Sequence, residues 1–95
     1  MRVTGDKTPK PIRFSRHAVE NMQRRGTTEA EVSQTVNEAA WMPAKSDRFE
    51  CARDFPYNGY WNGKFYKTKQ VVPIFKKEND TNDTIVVITA YVFYF

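Results

Sequence analysis

The chain has 95 residues, enough for one domain with one hydrophobic core. Hydrophobic residues make up 40% and charged residues 27% of the composition, a balance that excludes a disordered chain. The formal net charge of +4 favours anionic partners without selecting one. Because Cys51 is the only cysteine and His17 the only histidine, we expect no internal disulfide, no zinc site and no cofactor.

Residues 1–13 predict a flexible lead-in, and residues 14–95 predict a single α+β domain. Two prolines, Pro9 and Pro11, prevent a regular helix in the lead-in, which also lacks the apolar core of a signal peptide. The most apolar stretch, residues 85–95, is shorter than the roughly 20 residues of a membrane helix. We therefore expect a cytoplasmic protein with no membrane partner.

Two helices are predicted first, and each carries its own capping signals. The first spans residues 15–25, where Ser15 caps the amino end and Gly26 ends the helix in the left-handed conformation. The second spans residues 28–40 and begins at Thr28 with a Thr-x-x-Glu capping box. Apolar residues at helical spacing give each helix a stripe to bury, and the short link between them predicts a helical hairpin.

The rest of the chain predicts a curved antiparallel sheet of three to four strands. Residues 48–53 alternate between apolar and polar side chains, and an apolar run follows at residues 71–75. Residues 84–95 form a long β-branched and aromatic stretch that is apolar on both faces, which is typical of a central strand.

Turn signals separate these strands. Asn58-Gly59 and Asn62-Gly63 both lie between the first two strands, and each pair is typical of a tight hairpin turn. The two pairs cannot form the same turn, and the sequence leaves open which of them closes the hairpin. Residues 79–83 are polar and predict a further turn before the last strand.

His17 is the candidate acid or base. It lies in the first turn of the first helix, off the apolar stripe formed by Ala18, Val19 and Met22. Histidine is the commonest acid or base in enzymes, and the amino end of a helix favours its neutral form, as a general base requires. The alternative is an ordinary surface histidine with no task.

Arginines of the first helix and hydroxyls of the last strand are further candidates. Arg16, Arg24 and Arg25 carry guanidinium groups, which bind phosphate through paired hydrogen bonds and stabilise developing negative charge. The alternative is a solvated helix face. Thr89 and Tyr91 share a face of the predicted strand and are expected to line a site beside the first helix, unless their hydroxyls are simply satisfied locally.

A second basic strip interleaves cations with aromatic rings. It contains Lys64, Lys67 and Lys69, with Tyr66 between them. This pattern suits a single strand of RNA, because lysines meet phosphates while rings stack on bases. The alternative is cross-strand aromatic pairing with lysines that protect a sheet edge.

Two segments of the chain carry a further pattern. They are Phe14-Ser15-Arg16-His17-Ala18 with Met22, Arg25-Gly26-Thr27-Thr28 and Glu31-Val32, and then Ile85-Val86-Val87-Ile88-Thr89-Ala90-Tyr91. Together these segments resemble a small bacterial family known as a domain of unknown function. That family is similar in turn to the RelE and ParE toxins and to the wider group of barnase, EndoU and colicin nuclease domains.

The resemblance implies two helices followed by a four-stranded antiparallel sheet, RNA cleavage without a metal ion, and an antitoxin or immunity protein as partner. It makes His17 the candidate base or acid. It also makes a set of other residues candidates for phosphate binding or transition-state support: Arg25, Lys67, Lys69, Thr89 and Tyr91.

The first interpretation is therefore a metal-independent endoribonuclease of the toxin type. In it, His17 helps the ribose 2′-hydroxyl attack the adjacent phosphate, while arginine and lysine hold that phosphate. The alternative is a non-catalytic module that binds nucleic acid or a protein partner through the same surface. A small structural protein without a ligand is the third interpretation.

Overall fold

The computed structural model describes residues 11–78 and 84–95, which form two helices and six strands. In chain order these are β1 (Ile12–Phe14), α1 (Arg16–Arg25), α2 (Glu29–Glu38), β2 (Met42–Ala44), β3 (Arg48–Glu50), β4 (Arg53–Trp61), β5 (Lys64–Lys77) and β6 (Ile85–Tyr94). β1 starts inside the segment that the sequence assigned to the lead-in. The polar turn predicted at residues 79–83 lies outside the described residues.

Both helices begin and end within two residues of their predicted bounds, and the predicted caps are present. The Ser15 side chain accepts a hydrogen bond from the Ala18 amide, and Gly26 ends α1 with a φ of 87°. Thr28 and Glu31 form both hydrogen bonds of the capping box. These short-range signals therefore determine the helical hairpin.

The sheet differs from the prediction of three to four antiparallel strands, which was wrong. Six strands run in the order β1-β6-β5-β3-β2, with β4 also paired to β5, and β1 lies parallel to β6. Three of these strands have only three residues, too few to show alternation in the sequence. The parallel pair joins Ile12 to Ile85, so it depends on a contact between the two ends of the described chain.

Asn62-Gly63 closes the hairpin between β4 and β5. Trp61 faces Lys64 across the turn, and Asn62 and Gly63 have φ values of 51° and 82°. Both turn residues are thus left-handed, as a tight two-residue hairpin turn requires. The other pair begins at Asn58, whose φ is 50°, and lies where the register between β4 and β5 shifts.

A register shift in β6 changes which of its side chains are buried. Ile74 faces Thr89 while the next residue, Phe75, faces Val87, so Ile88 is an extra residue in β6. Val87 is buried before this bulge and Ala90 is buried after it. Strict alternation predicts that Thr89 and Tyr91 lie on the same face as Val87. Because of the bulge, they do not share a continuous face with it.

The core lies between the helical hairpin and one face of the sheet. Its fully or nearly fully buried apolar members are Ala18, Met22, Val32, Val36, Cys51, Val71, Phe75, Ile85, Val87 and Ala90. Trp41 closes the core beside β3, with its ring centroid 4.8 Å from that of Phe75. The opposite face of the sheet faces away from this core, since side chains alternate along each strand.

Side chains from the sheet bind the carboxyl end of α1. The Tyr94 hydroxyl donates to the Arg25 carbonyl at 2.8 Å, and the Lys69 ammonium donates to the Gly26 carbonyl at 3.0 Å. Trp61 stacks on Tyr94 with ring centroids 4.8 Å apart. Carbonyls that have no partner within a helix are satisfied here by the sheet, which fixes the end of α1 against β5 and β6.

Gly26→Ala should destabilise the protein more than Gly63→Ala. Both glycines have a positive φ, so both substitutions cost about 1–2 kcal/mol for the left-handed conformation. Only at Gly26 would a Cβ also clash, 2.5 Å from the Tyr94 hydroxyl and 2.8 Å from the Trp61 ring. At Gly63 no atom lies within 4 Å. Urea unfolding followed by tryptophan fluorescence measures the loss of stability in each variant. Equal losses would show that the close approach of Tyr94 and Trp61 to Gly26 does not matter for stability.

Candidate functional site

Residues of α1 and β6 meet where β6 extends beyond its pairing with β1. That pairing ends at Phe14 and Val87, and α1 packs along the part of β6 that follows. Side chains one and two turns apart share a face of a helix, which brings four residues of α1 to β6. We call the resulting group the α1–β6 site; its members are His17, Asn21, Arg24, Arg25, Thr89 and Tyr91.

Asn21 connects the α1–β6 site. Its side chain is 2% exposed, and its Nδ2 lies 2.8 Å from Nε2 of His17 and 3.1 Å from the Thr89 hydroxyl. Its Oδ1 accepts a hydrogen bond from Arg24. An arginine only donates, so the oxygen of the amide must face Arg24 and the NH2 group must face His17 and Thr89. Nε2 of His17 is then the acceptor, and the neutral ring carries its proton on Nδ1.

Asn21 is not among the candidate residues predicted from the sequence. Its position one helical turn after His17 is the signal in the sequence that was available. An asparagine in the middle of an amphipathic helix, next to the buried Met22, is expected either to face solvent or to have specific partners. The structure shows the second case, because both ends of the amide are bonded.

Arg25 is held between the edge of β6 and the Tyr91 ring. Its Nη1 donates to the Ala90 carbonyl at 2.8 Å, and its Cζ lies 4.8 Å from the centroid of the Tyr91 ring. Tyr91 remains 43% exposed. Two contacts therefore position the Arg25 guanidinium, whose five N–H groups exceed what the single carbonyl accepts.

The other predicted cations lie elsewhere. Arg16 is exposed on α1 and approaches Glu20 at 3.9 Å. Lys64 and Lys67 are exposed on β5, toward the tip of the β4–β5 hairpin. Lys64 lies 5.5 Å from the centroid of the Tyr66 ring, so these two members of the predicted basic and aromatic strip are in contact at the hairpin.

Lys69 is buried and serves the fold. It is 6% exposed, and its ammonium lies 2.9 Å from the Glu31 carboxylate and 3.0 Å from the Gly26 carbonyl. Lys69 continues the alternation that predicts a basic strip, but its side chain is covered. Its ammonium lies 5.7 Å from the centroid of the Tyr57 ring, on the neighbouring strand β4. Lys69 thus links β5 to both helices rather than facing a ligand.

Two ionisable groups at this junction have shifted pKa values. Burial alone would raise the pKa of Glu31, but hydrogen bonds from Lys69 and Thr27 and the charge of Lys69 outweigh it and hold the pKa below its usual value. Burial, followed by the proximity of Tyr57 and Glu31, raises the pKa of Tyr94 to about 12. Tyr94 is therefore a neutral hydroxyl that donates to the backbone at physiological pH.

Comparison of the chain with protein families, curated proteins and solved structures found no match. Within the described ranges, no three or more His, Cys, Asp or Glu side chains are grouped so as to hold a metal ion. Neither described helix is long and apolar enough to cross a membrane. The geometry of the α1–β6 site is thus the main basis for a functional proposal.

Lys69→Gln should destabilise the protein, whereas Lys67→Gln should not. Removing one partner of a buried ion pair costs about 3–5 kcal/mol, and a smaller loss is expected here because Glu31 keeps access to solvent. Lys67 is exposed, and surface substitutions usually change stability by no more than about 0.5 kcal/mol. Thermal unfolding of the two variants tests this placement, and equal stability would mean that Lys69 is not the link.

The same ion pair predicts a loss of stability in acid. Because the pKa of Glu31 is lower in the folded state than its unfolded value of about 4.5, its stabilising contribution is complete above that value. The contribution disappears as the pH falls through the lower, folded pKa. Melting temperatures of the wild type and of Glu31→Gln should therefore differ at neutral pH and converge well below pH 4.5. A difference that stays constant with pH would show that the carboxylate charge is not responsible.

Proposed function

We propose that the protein is a metal-independent endoribonuclease whose active site is the α1–β6 site. The observation that carries the proposal is the bond between Asn21 and His17. A buried amide, bonded at both its nitrogen and its oxygen, orients an exposed histidine on the helix that also carries Arg24 and Arg25. An acid or base that is itself oriented by a third group is the arrangement common to many hydrolytic sites.

Arg24 and Arg25 supply the charge for the phosphate. Guanidinium groups bind phosphate oxygens through paired hydrogen bonds and neutralise the negative charge that grows during attack on phosphorus. Arg25 is held by Ala90 and Tyr91, so its guanidinium group is already in position before a substrate binds. Arg24 is exposed, and its hydrogen bond to Asn21 holds its guanidinium group at the same site.

His17 moves the proton. In the cleavage proposed, the ribose 2′-oxygen attacks phosphorus, the bond from phosphorus to the 5′-oxygen breaks, and a cyclic phosphate and a 5′-hydroxyl result. The 2′-hydroxyl proton passes to Nε2 of His17, and the departing 5′-oxygen receives a proton from the protonated ring. The substrate hydroxyl has to replace the Asn21 NH2 group as the donor to Nε2, so Asn21 orients His17 before the substrate binds and not during proton transfer. Asn21 keeps Thr89 and Arg24 as partners meanwhile.

A non-catalytic RNA-binding module is the second candidate, and the same bond favours it in one respect. Nε2 of His17 is occupied by Asn21, so the free ring nitrogen, Nδ1, is a hydrogen-bond donor in the neutral ring. A surface of donors binds phosphate without transferring a proton. The two candidates differ in whether RNA is cut, which an assay in EDTA decides.

His17→Ala should abolish cleavage and leave the fold unchanged. Acid–base groups contribute about 100- to 10,000-fold to the rate, so the loss is visible on a gel with total RNA in EDTA. The ring is exposed, so its removal leaves no cavity, and Asn21 retains its bond to Thr89. Gln23→Ala is the matched control, since Gln23 is exposed on α1 and lies outside the site.

If the wild type leaves RNA intact in EDTA, the nuclease proposal is wrong. If the wild type cuts RNA and His17→Ala cuts it equally fast at the same melting temperature, the active site lies elsewhere. Salt dependence of RNA binding, measured on the His17→Ala variant, then reports the binding function separately, because affinity that comes from phosphate contacts falls as salt rises.

A further inference from the structure

A depression lies on the face of the sheet opposite the core, beside the exposed ring of Tyr91. Its volume is about 310 Å³, at the small end of ligand sites in proteins. Its main lining residues are Lys45, Ser46, Arg48, Glu50, Ile74 and Tyr91. They come from the β2–β3 turn, β3, β5 and β6, so the depression is built by the sheet and is separate from the helical hairpin.

The β2–β3 turn forms the polar side of the depression. Ser46 and Asp47 have φ values of 62° and 59°, so two consecutive residues other than glycine are left-handed. The turn brings Lys45 and Ser46 to one side of the depression, next to Arg48. Two cations and a hydroxyl at one side of a small cavity are suited to a phosphate group.

The opposite side combines apolar surface with one carboxylate. Ile74 and the ring of Tyr91 offer faces on which a planar base can stack, as bases do on aromatic side chains in single-strand binding proteins. Glu50 lies directly across the strands from Ile74. A carboxylate accepts hydrogen bonds and does not donate them, so it suits an amino group and disfavours a carbonyl oxygen at the same place.

Tyr91 connects this depression to the α1–β6 site. Tyr91 lines the depression, and the Arg25 guanidinium of the α1–β6 site lies 4.8 Å from the centroid of its ring. A nucleotide stacked on Tyr91 in the depression would therefore lie next to the α1–β6 site, through the ring that Arg25 also contacts. This inference rests on the proposed function for the identity of the substrate as RNA, but binding can be measured without cleavage.

We infer that the depression is a nucleotide pocket that selects a base with an exocyclic amino group, and that it prefers cytosine to uracil. The two pyrimidines have the same size and differ at one edge, where cytosine presents an amino group and uracil presents a carbonyl oxygen. Glu50 accepts from the amino group of cytosine. The same carboxylate repels the uracil oxygen, because neither group carries a proton to share.

The test compares oligocytidine with oligouridine whose 2′-hydroxyls are all methylated, so that neither is cleaved. In EDTA and low salt, fluorescence anisotropy should show that the wild type binds oligocytidine roughly tenfold more tightly, as one hydrogen bond to a charged group implies. Glu50→Gln should remove the preference, since an amide can accept from cytosine and donate to uracil. Glu29→Gln, which removes the same charge from an exposed position on α2, should keep it.

A second measurement does not depend on a variant. Titration of the wild type with cytidine monophosphate should move the amide resonances of Ser46, Glu50 and Tyr91 and leave those of the hairpin tip near Tyr60 unchanged. An equal affinity for the two oligonucleotides, an unchanged preference in Glu50→Gln, or shifts that cluster elsewhere would each overturn the pocket. If the pocket selects cytosine but RNA stays intact, the nuclease proposal fails and the pocket stands. If RNA is cut but the protein shows no base preference, the pocket fails and the nuclease proposal stands.

Discussion

The ion pair between Lys69 and Glu31 is the interaction on which the arrangement of helices and sheet depends. A lysine from the middle of β5 reaches the first turn of α2 and, through the Gly26 carbonyl, the last turn of α1. Its ammonium also caps a helix end that would otherwise leave a carbonyl without a partner. Charged groups in such a place have to be fully paired, since an isolated buried charge is very costly. The consequence is that one side chain of β5 contacts both helices at the point where they meet.

The carboxyl end of α1 is fixed there, and the α1–β6 site is built on the same helix. With that end held by Lys69 and Tyr94, the turns that carry Asn21 and Arg25 lie at a defined height along β6. Thr89 and the Ala90 carbonyl then become their partners. The side chains of the α1–β6 site are therefore positioned by contacts at a distance from them, as sites supported by rigid elements generally are.

What the sequence could reveal depends on the range of each signal. The caps at Ser15 and Thr28 and the left-handed Gly26 act within one turn, so the helices were predicted nearly to the residue. β1 is three residues long and pairs with the far end of the chain, which no local pattern can show. Ile88 looks like any other residue of an alternating strand, because a bulge is set by how two strands meet. For the site, helical spacing brings His17, Arg24 and Arg25 to one side of α1, but burial decided that Asn21 joins them and that Lys69 does not.

The parallel contact between β1 and β6 has a consequence for how the protein is made. Ile12 pairs with Ile85, so β1 has no partner until β6, which follows both helices and the other strands, has been synthesised. The capped helical hairpin is defined by short-range signals, yet β1 and the surface of α1 that covers β6 lack their partner until β6 has been synthesised. Apolar side chains such as Ala18 and Met22 stay uncovered during that interval. The net positive charge of the chain opposes association between such nascent chains until β6 covers these side chains.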